Sequence, residues 1–189
     1  EFISGLAEVV KYGVIRDEEF FKWLEDNAES ILDMQPEALV HLIKRSCEIK
    51  ADVVGADERE EGLRAILNFG HTVGHAVESL TDYTGYRHGE AVSIGMVAAA
   101  RLGHAQGLCG PDVPERLTRF LARFGLPTEF PKNKPATEAA VVIGTPPPMI
   151  QAAVPQGWMC TGRRSNSSSI SPTSSSITSS SVTIPTFAP

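Results

Sequence analysis

Three of the five histidines, His71, His75 and His88, lie within eighteen positions of one another. On a helix, His71 and His75 would stand one turn apart with both imidazoles on one face, and Asn68 would join them one turn earlier. Two histidines at this spacing are typical of zinc helices. The alternative is a pair of half-buried histidines hydrogen-bonded to carbonyl groups, and the spacing alone leaves both interpretations open.

Gly70 and Gly74 lie in the same predicted helix as the histidines. A glycine inside a helix costs about 1 kcal/mol relative to alanine. Two of them in one short helix therefore predict that a ligand or another backbone approaches closely at this point.

Glu8 is an acidic residue in an otherwise apolar helical stretch, and Lys11 follows it three positions later on the same side. A buried carboxylate needs a partner, which is either Lys11 or a metal ion that neutral imidazoles also bind. On spacing alone, a metal site would combine His71 and His75 with Glu8 or His88 and leave one position open for substrate.

Basic residues precede the histidines, with Lys44, Arg45 and Lys50 in one helical segment and Arg64 four positions before Asn68. Arginine and lysine near a metal suit an anionic substrate, because carboxylate and phosphate oxygens accept charge-assisted hydrogen bonds. We interpret Lys44 and Arg45 as part of a solvated charged face.

Five segments occur in a characteristic order and spacing. They are residues 4–13 (Ser-Gly-Leu-Ala-Glu-Val-Val-Lys-Tyr-Gly), 50–51 with 57–58, 62–64, 68–72 (Asn-Phe-Gly-His-Thr) with 74–76, and 88–92 (His-Gly-Glu-Ala-Val) with 95–96. Together these segments resemble the 3-dehydroquinate synthase family. The resemblance covers roughly residues 1–131, and its motifs are far more specific than a single histidine pair.

The resemblance implies a fold and an activity. Enzymes of this family join an α/β nucleotide-binding domain to an all-α C-terminal domain, and this chain is similar to the helical domain. They convert a phosphorylated keto-acid, 3-deoxy-D-arabino-heptulosonate 7-phosphate, to 3-dehydroquinate and phosphate in the shikimate pathway of aromatic amino acid biosynthesis. Bound NAD performs the redox steps, and Zn²⁺ or Co²⁺ acts as a Lewis acid. A homodimer is expected for the full-length enzyme.

The resemblance also implies a ligand set that differs from the one suggested by spacing. The family's metal ligands match Glu8, His71 and His88. His75 then becomes a substrate contact close to the phosphate and its proton transfer.

Further residues match positions around the family's substrate. Glu60 matches an acidic position near the site, without an assigned role. Glu90 is expected to serve the start of the following helix, where a carboxylate interacts favourably with the helix dipole. The implied contacts to the carboxylate, hydroxyl and phosphate groups of the substrate are Lys11, Lys50, Arg64 and Asn68.

The chain contains no glycine-rich dinucleotide loop, because its glycines do not form the pattern Gly-x-Gly-x-x-Gly after a strand. We therefore expect the chain as written to bind no NAD and not to catalyse dehydroquinate formation alone. Two alternatives stay open. One is a catalytically inactive helical module or gene relic, and the other is a related sugar-phosphate cyclase.

Apolar residues recur at helical spacing in residues 20–24, 39–43, 91–102 and 117–121, and no alternating strand pattern is visible. Residues 1–131 are thus predicted to form an all-helical domain, with Asp17 as an N-cap and Pro36 in a first turn. From Lys132 onward proline, serine and threonine dominate. We expect residues 132–189 to be a disordered tail, either natural or the product of a frameshift.

The formal net charge is −6. Beyond Glu138 the only charged residues are Arg163 and Arg164, so residues 1–138, the body of the chain, are more acidic still. This charge argues against nucleic-acid binding. The longest apolar run, residues 91–100, is too short to cross a membrane. Three cysteines without metal-type spacing indicate reduced thiols and a cytoplasmic location, or a plastid if a transit sequence preceded the chain.

Overall fold

The computed structural model describes residues 1–57 and 62–132. The described residues are helical and include no β-strand, which confirms the predicted all-α fold. The predicted tail lies outside the described residues, apart from Lys132. In chain order the elements are α1 Phe2–Arg16, α2 Glu18–Asp26, α3 Ala28–Leu32, α4 Pro36–Ala56, a 3-10 helix Leu63–Asn68, α5 His71–Leu80, α6 His88–Ala105 and α7 Asp112–Arg123.

Helices α1 and α6 form the centre of the body. Helix α1 packs against α2, α4 and α6, while α5 and α7 pack against α6. One large apolar cluster joins these helices, and its fully buried members include Leu6, Val10, Phe21, Met96 and Leu121. This packing brings the first turns of α1 and α6 together, where the backbone N–H of Gly89 donates a hydrogen bond to the hydroxyl of Ser4.

Helix α7 illustrates how the apolar pattern produces the fold. Val113, Leu117, Phe120 and Leu121 are buried and recur at the spacing of one helical face, while the charged residues of α7 lie at other positions. The predicted helix over residues 117–121 is therefore confirmed, and it covers the core beside α6.

The predicted helix starts are also confirmed. The carboxylate of Asp17 accepts a hydrogen bond of 2.9 Å from the backbone N–H of Phe20, so Asp17 is the N-cap of α2. Pro36 is the first residue of α4. Glu90 lies in the first turn of α6 and accepts a hydrogen bond of 2.8 Å from the backbone N–H of Arg87. These contacts fix the points at which the helices begin.

We expect Asp17→Ala to lower the free energy of unfolding by about 2 kcal/mol. The substitution removes the cap, which contributes about 1 kcal/mol, and a partly exposed ion pair with Arg45, which contributes up to about 1 kcal/mol. Urea unfolding followed by circular dichroism measures this loss. Asp17→Asn retains a capping oxygen without the charge and should lose about half as much. Equal losses for the two variants would contradict this division.

Glycines bring α5 and α6 into backbone contact. A Cβ atom at Gly95 would lie 1.9 Å from the carbonyl oxygen of Gly70, and one at Gly74 would lie 3.2 Å from the Cα atom of Val92. Gly70 itself has φ +82°, a left-handed conformation that favours glycine. The close approach expected from the sequence is therefore an approach of another backbone.

Among the described helices, none has the length and apolar character that crossing a membrane requires.

Candidate metal and substrate site

Glu8 and Lys11 face the site from α1. The Lys11 ammonium lies 2.7 Å from Glu8 Oε2, and the lysine is only 3% exposed. Burial lowers the pKa of Lys11, although the carboxylate of Glu8 opposes this shift. Glu8 Oε1 is buried and has no hydrogen-bond partner within the described part of the chain. Lys11 thus satisfies one carboxylate oxygen and leaves the other for a different partner.

His71, the first residue of α5, faces that unsatisfied oxygen. Its Nε2 atom lies 3.5 Å from Glu8 Oε1, and its Nδ1 atom lies 3.3 Å from the carbonyl oxygen of Phe69. A carbonyl oxygen can only accept, so Nδ1 is the protonated nitrogen and Nε2 carries the lone pair. Burial, followed by the charge of Lys11, lowers the pKa of His71. Both effects favour the neutral imidazole, which is the form that binds a metal.

His88 is the first residue of α6 and completes a cluster with Glu8 and His71. One potential ligand atom from each of Glu8, His71 and His88 lies within 4.8 Å of the others. Two ligands of a tetrahedral zinc ion stand roughly 3.4 Å apart, since each lies 2.0–2.2 Å from the ion. The 3.5 Å between Glu8 Oε1 and His71 Nε2 matches that separation. The cluster thus has the donor atoms and the spacing that a divalent cation requires.

A second group of side chains adjoins the first through His88. Glu78 Oε2 lies 2.8 Å from His75 Nδ1, and Glu78 Oε1 lies 3.1 Å from His88 Nδ1. Burial alone would raise the pKa of Glu78, but the hydrogen bonds to the two histidines outweigh it, and the pKa lies below its usual range. Glu78 and His88 also line a surface cleft of about 550 Å³. Glu78 was not among the residues predicted from the sequence.

His71 and His75 belong to different groups in the structure. Their ring centroids are 5.6 Å apart, but His75 turns its Nδ1 atom to Glu78, and its side chain is 62% exposed. Spacing alone would have paired these two histidines around one ion. Two groups of potential ligand atoms form instead, one of Glu8, His71 and His88 and one of His75, Glu78 and His88. The resemblance implies the first group as the metal ligands.

Asn68 does not share a helix with the histidines, and this prediction from spacing was wrong. It ends the 3-10 helix and is exposed, and the left-handed Gly70 then separates it from the start of α5. Because the chain changes direction at Gly70, the one-turn relation between Asn68 and His71 does not hold.

The remaining basic residues come from two separate segments. Lys50 is exposed on α4, and its charge helps to lower the pKa of Lys11. Arg64 lies in the 3-10 helix and is half-buried. The carboxylate of Asp57 accepts backbone hydrogen bonds of 3.0 Å from Gly62 and 2.8 Å from Arg64, and thereby connects the end of α4 to the 3-10 helix. Glu60 lies outside the described residues.

The two cofactors implied by the resemblance fit the described residues differently. A divalent metal fits, because the buried Glu8 Oε1 lacks a partner and faces a neutral imidazole. For NAD, the described residues offer no β-strand that leads into a glycine-rich turn, the feature that typically holds a dinucleotide. We therefore assign no NAD-dependent step to these residues.

Comparison with known proteins shows the family to which the chain belongs. The model of the family described as 3-dehydroquinate synthase C-terminal matches residues 5–143. The chain is 56% identical over 133 residues to the 3-dehydroquinate synthase of Thermodesulfovibrio yellowstonii, and 56% identical over 131 residues to that of Geobacter sp. strain M21. These alignments cover 70% and 69% of the chain, but only 37% and 36% of the relatives' lengths.

Two solved structures resemble the fold. A 2-epi-5-epi-valiolone synthase from Streptomyces hygroscopicus subsp. jinggangensis, with NAD⁺ and Zn²⁺ bound, has a TM-score of 0.67 and 26% identity, and the match covers 75% of this chain and 39% of that one. A 2-deoxy-scyllo-inosose synthase complexed with carbaglucose-6-phosphate, NAD⁺ and Co²⁺ has a TM-score of 0.60 and 24% identity over the same shares, which supports the fold alone.

The helical fold, with its carboxylate and histidine cluster, thus defines a class of domain that occurs within longer synthases. More narrowly, the chain belongs to the 3-dehydroquinate synthase family, a family of lyases, and matches its C-terminal domain. The family match extends beyond residue 131, so the domain boundary placed there remains a prediction.

Proposed function

We propose that this chain is the metal- and substrate-binding part of a 3-dehydroquinate synthase. The proposed overall reaction converts 3-deoxy-D-arabino-heptulosonate 7-phosphate to 3-dehydroquinate and phosphate. The observation that carries the proposal is the buried Glu8 Oε1, which has no hydrogen-bond partner among the described residues and faces His71 Nε2 at 3.5 Å. The family relationship supports the same conclusion.

In this proposal Glu8, His71 and His88 hold Zn²⁺ or Co²⁺. The bound ion would supply a Lewis acid that polarises substrate oxygens. The carboxylate offsets one of the two positive charges, and the two neutral imidazoles add none. The site therefore keeps a net positive charge that favours an anionic substrate.

Lys11, Lys50, Arg64 and Asn68 are proposed to bind the anionic and hydroxyl groups of the substrate. An ammonium group has three donors, and Glu8 uses one donor of Lys11. The others can donate to a substrate oxygen while the ion pair with Glu8 keeps the lysine in place. Arg64 can bind a carboxylate or phosphate with two parallel hydrogen bonds, which a lysine cannot do.

His75 is proposed to move a proton near the substrate phosphate. Its Nδ1 atom donates to Glu78, so Nε2 is the nitrogen that can accept a proton. The ring is exposed, so a substrate can reach it. The NAD of the reaction would be held by a part of the enzyme other than the described helices. The homodimer and the cytoplasmic location also remain proposals for the whole enzyme.

A fusion protein tests this function. The part of the Thermodesulfovibrio yellowstonii relative that lies outside the aligned region is joined to this chain. Phosphate release from 3-deoxy-D-arabino-heptulosonate 7-phosphate is then measured with NAD and zinc. We expect turnover by the fusion, a decrease of more than about 100-fold in Glu8→Gln, since a metal ligand is lost, and little change in Glu37→Gln, an exposed carboxylate on α4.

A fusion that folds but releases no phosphate, under conditions where the intact relative is active, would contradict the proposed function. Turnover that is insensitive to Glu8→Gln would contradict the proposed metal ligands and leave the substrate assignment in place.

A further inference from the structure

The carboxylate of Glu78 has an unusual position for an ionisable group. The residue is only 8% exposed, and it lies on the buried face of α5 between Val77 and the end of the helix. Removing a carboxylate from water is costly unless its oxygens accept hydrogen bonds. Among the described residues, the two oxygens have two side-chain partners, His75 and His88.

The division of the two oxygens determines which nitrogen of each ring is protonated. Glu78 Oε2 accepts a hydrogen bond of 2.8 Å from His75 Nδ1, and Glu78 Oε1 accepts one of 3.1 Å from His88 Nδ1. A carboxylate can only accept, so both rings must donate through Nδ1. Each ring then has its lone pair on Nε2, the nitrogen left for a metal ion or a proton.

Glu78, His75 and His88 also offer potential ligand atoms within 4.8 Å of one another, but the contacts of Glu78 favour a hydrogen-bonding role over that of a ligand. Its contacts of 2.8 and 3.1 Å are hydrogen-bond distances, shorter than the roughly 3.4 Å between two ligands of a tetrahedral ion. The Glu8 and His71 pair, at 3.5 Å without a hydrogen bond, has the opposite character. The two carboxylates therefore differ, because Glu8 Oε1 has no hydrogen-bond partner among the described residues, whereas both oxygens of Glu78 accept from imidazoles.

We infer that Glu78 is a positioning residue that sets the tautomer of His75 and His88 at the same time. Through His88 it orients a metal ligand, and through His75 it orients the proposed proton-transfer group. His71 obtains the same tautomer separately from the carbonyl oxygen of Phe69. This inference rests on the proposed function for its consequence, but the tautomers themselves are a property of the chain without metal.

Glu78→Gln is the decisive variant, because it preserves the shape of the side chain. An amide offers one acceptor oxygen and one donor group. Only one of the two histidines can then keep a protonated Nδ1 atom, and the other ring must accept at Nδ1 or turn away. Asp82→Asn is the matched control, since it removes one negative charge just after α5 without a hydrogen bond to either histidine.

The tautomers are measured on the full chain without metal by ¹⁵N NMR of labelled histidine, at about pH 8, where an ordinary imidazole is neutral. We expect Nδ1–H signals for both His75 and His88 in the unsubstituted chain and in Asp82→Asn. In Glu78→Gln, one of the two should change to Nε2–H. Unchanged tautomers in Glu78→Gln would overturn the inference, as would a mixture of tautomers at both rings of the unsubstituted chain.

Zinc titration supplies the second measurement. Loss of an orienting hydrogen bond to a metal ligand weakens metal binding by about 10- to 100-fold. We therefore expect zinc affinity to fall by this factor in Glu78→Ala. The same decrease is expected in Glu78→Gln if His88 is the ring whose tautomer changes. Helical circular dichroism of Glu78→Gln verifies that the fold is kept.

The stoichiometry distinguishes the remaining outcomes. Two zinc ions per chain, falling to one in Glu78→Gln, would identify Glu78 as a ligand and overturn the inference. A chain that binds no zinc would contradict the proposed function, while the NMR comparison would still decide the role of Glu78.

Discussion

Replacing His71 or His88 with alanine is expected to abolish stoichiometric zinc binding, whereas His75→Ala retains it. Each of the first two substitutions removes one of three protein ligands and leaves the buried Glu8 Oε1 without a cation to neutralise it. The loss should exceed the 10- to 100-fold effect of removing a residue that only orients a ligand. His75 turns its Nδ1 atom to Glu78 and belongs to the other group.

The measurement is metal analysis after dialysis, followed by titration against a competing chelator. His104→Ala is the matched control, because His104 lies near the end of α6 and donates to the carbonyl oxygen of Cys109. If His75→Ala lost the metal and His88→Ala kept it, the pair suggested by spacing would be the correct one, and the ligands transferred from the family would be wrong.

Gly95→Ala is expected to destabilise the body by about 3 kcal/mol or more, the upper range for overpacking a core. The new Cβ atom would lie 1.9 Å from the carbonyl oxygen of Gly70 and 2.8 Å from the backbone nitrogen of Gly74. Backbone atoms cannot rotate away as a side chain can, so α5 and α6 must separate. Because His71 and His88 stand on these two helices, zinc affinity should fall as well.

Gly5→Ala is the control for helix propensity. Gly5 lies inside α1, and a Cβ atom there would meet nothing within 4 Å. This substitution should therefore raise the free energy of unfolding, by up to about 1 kcal/mol. Both values follow from urea unfolding. A Gly95→Ala variant as stable as the unsubstituted chain would show that the two helices can pack without the glycine.

The helices were predictable because the information about them is local. Asp17 and Pro36 mark helix starts by chemistry that acts within one turn, and both predictions are confirmed. The left-handed turn at Gly70 was missed, because only its contact with α6 reveals why the chain must change direction there. As a result Asn68 was placed on the wrong helix.

The site was partly predictable for the same reason. Glu8 stood out as an acidic residue among apolar ones, and its contact with Lys11 is present at 2.7 Å. Glu78 carries the same signal, an acidic residue next to buried Ala76 and Val77, and could have been found from it. Its bond to His88 could not, since that contact depends on how α5 packs against α6.

The contact between α1 and α6 determines the stage of folding at which the site forms. Gly89 donates a backbone hydrogen bond of 3.0 Å to the hydroxyl of Ser4, a residue 85 positions away, and a Cβ atom at Gly89 would lie 1.8 Å from the Ser4 carbonyl oxygen. Closing a loop of that length costs roughly 4 kcal/mol of chain entropy. Contacts of such long range form after local helices, so Glu8 and His88 meet only late in folding. We therefore expect a cation that takes all three ligands to stabilise the completed domain, because Glu8 joins His71 and His88 only when α1 meets α6.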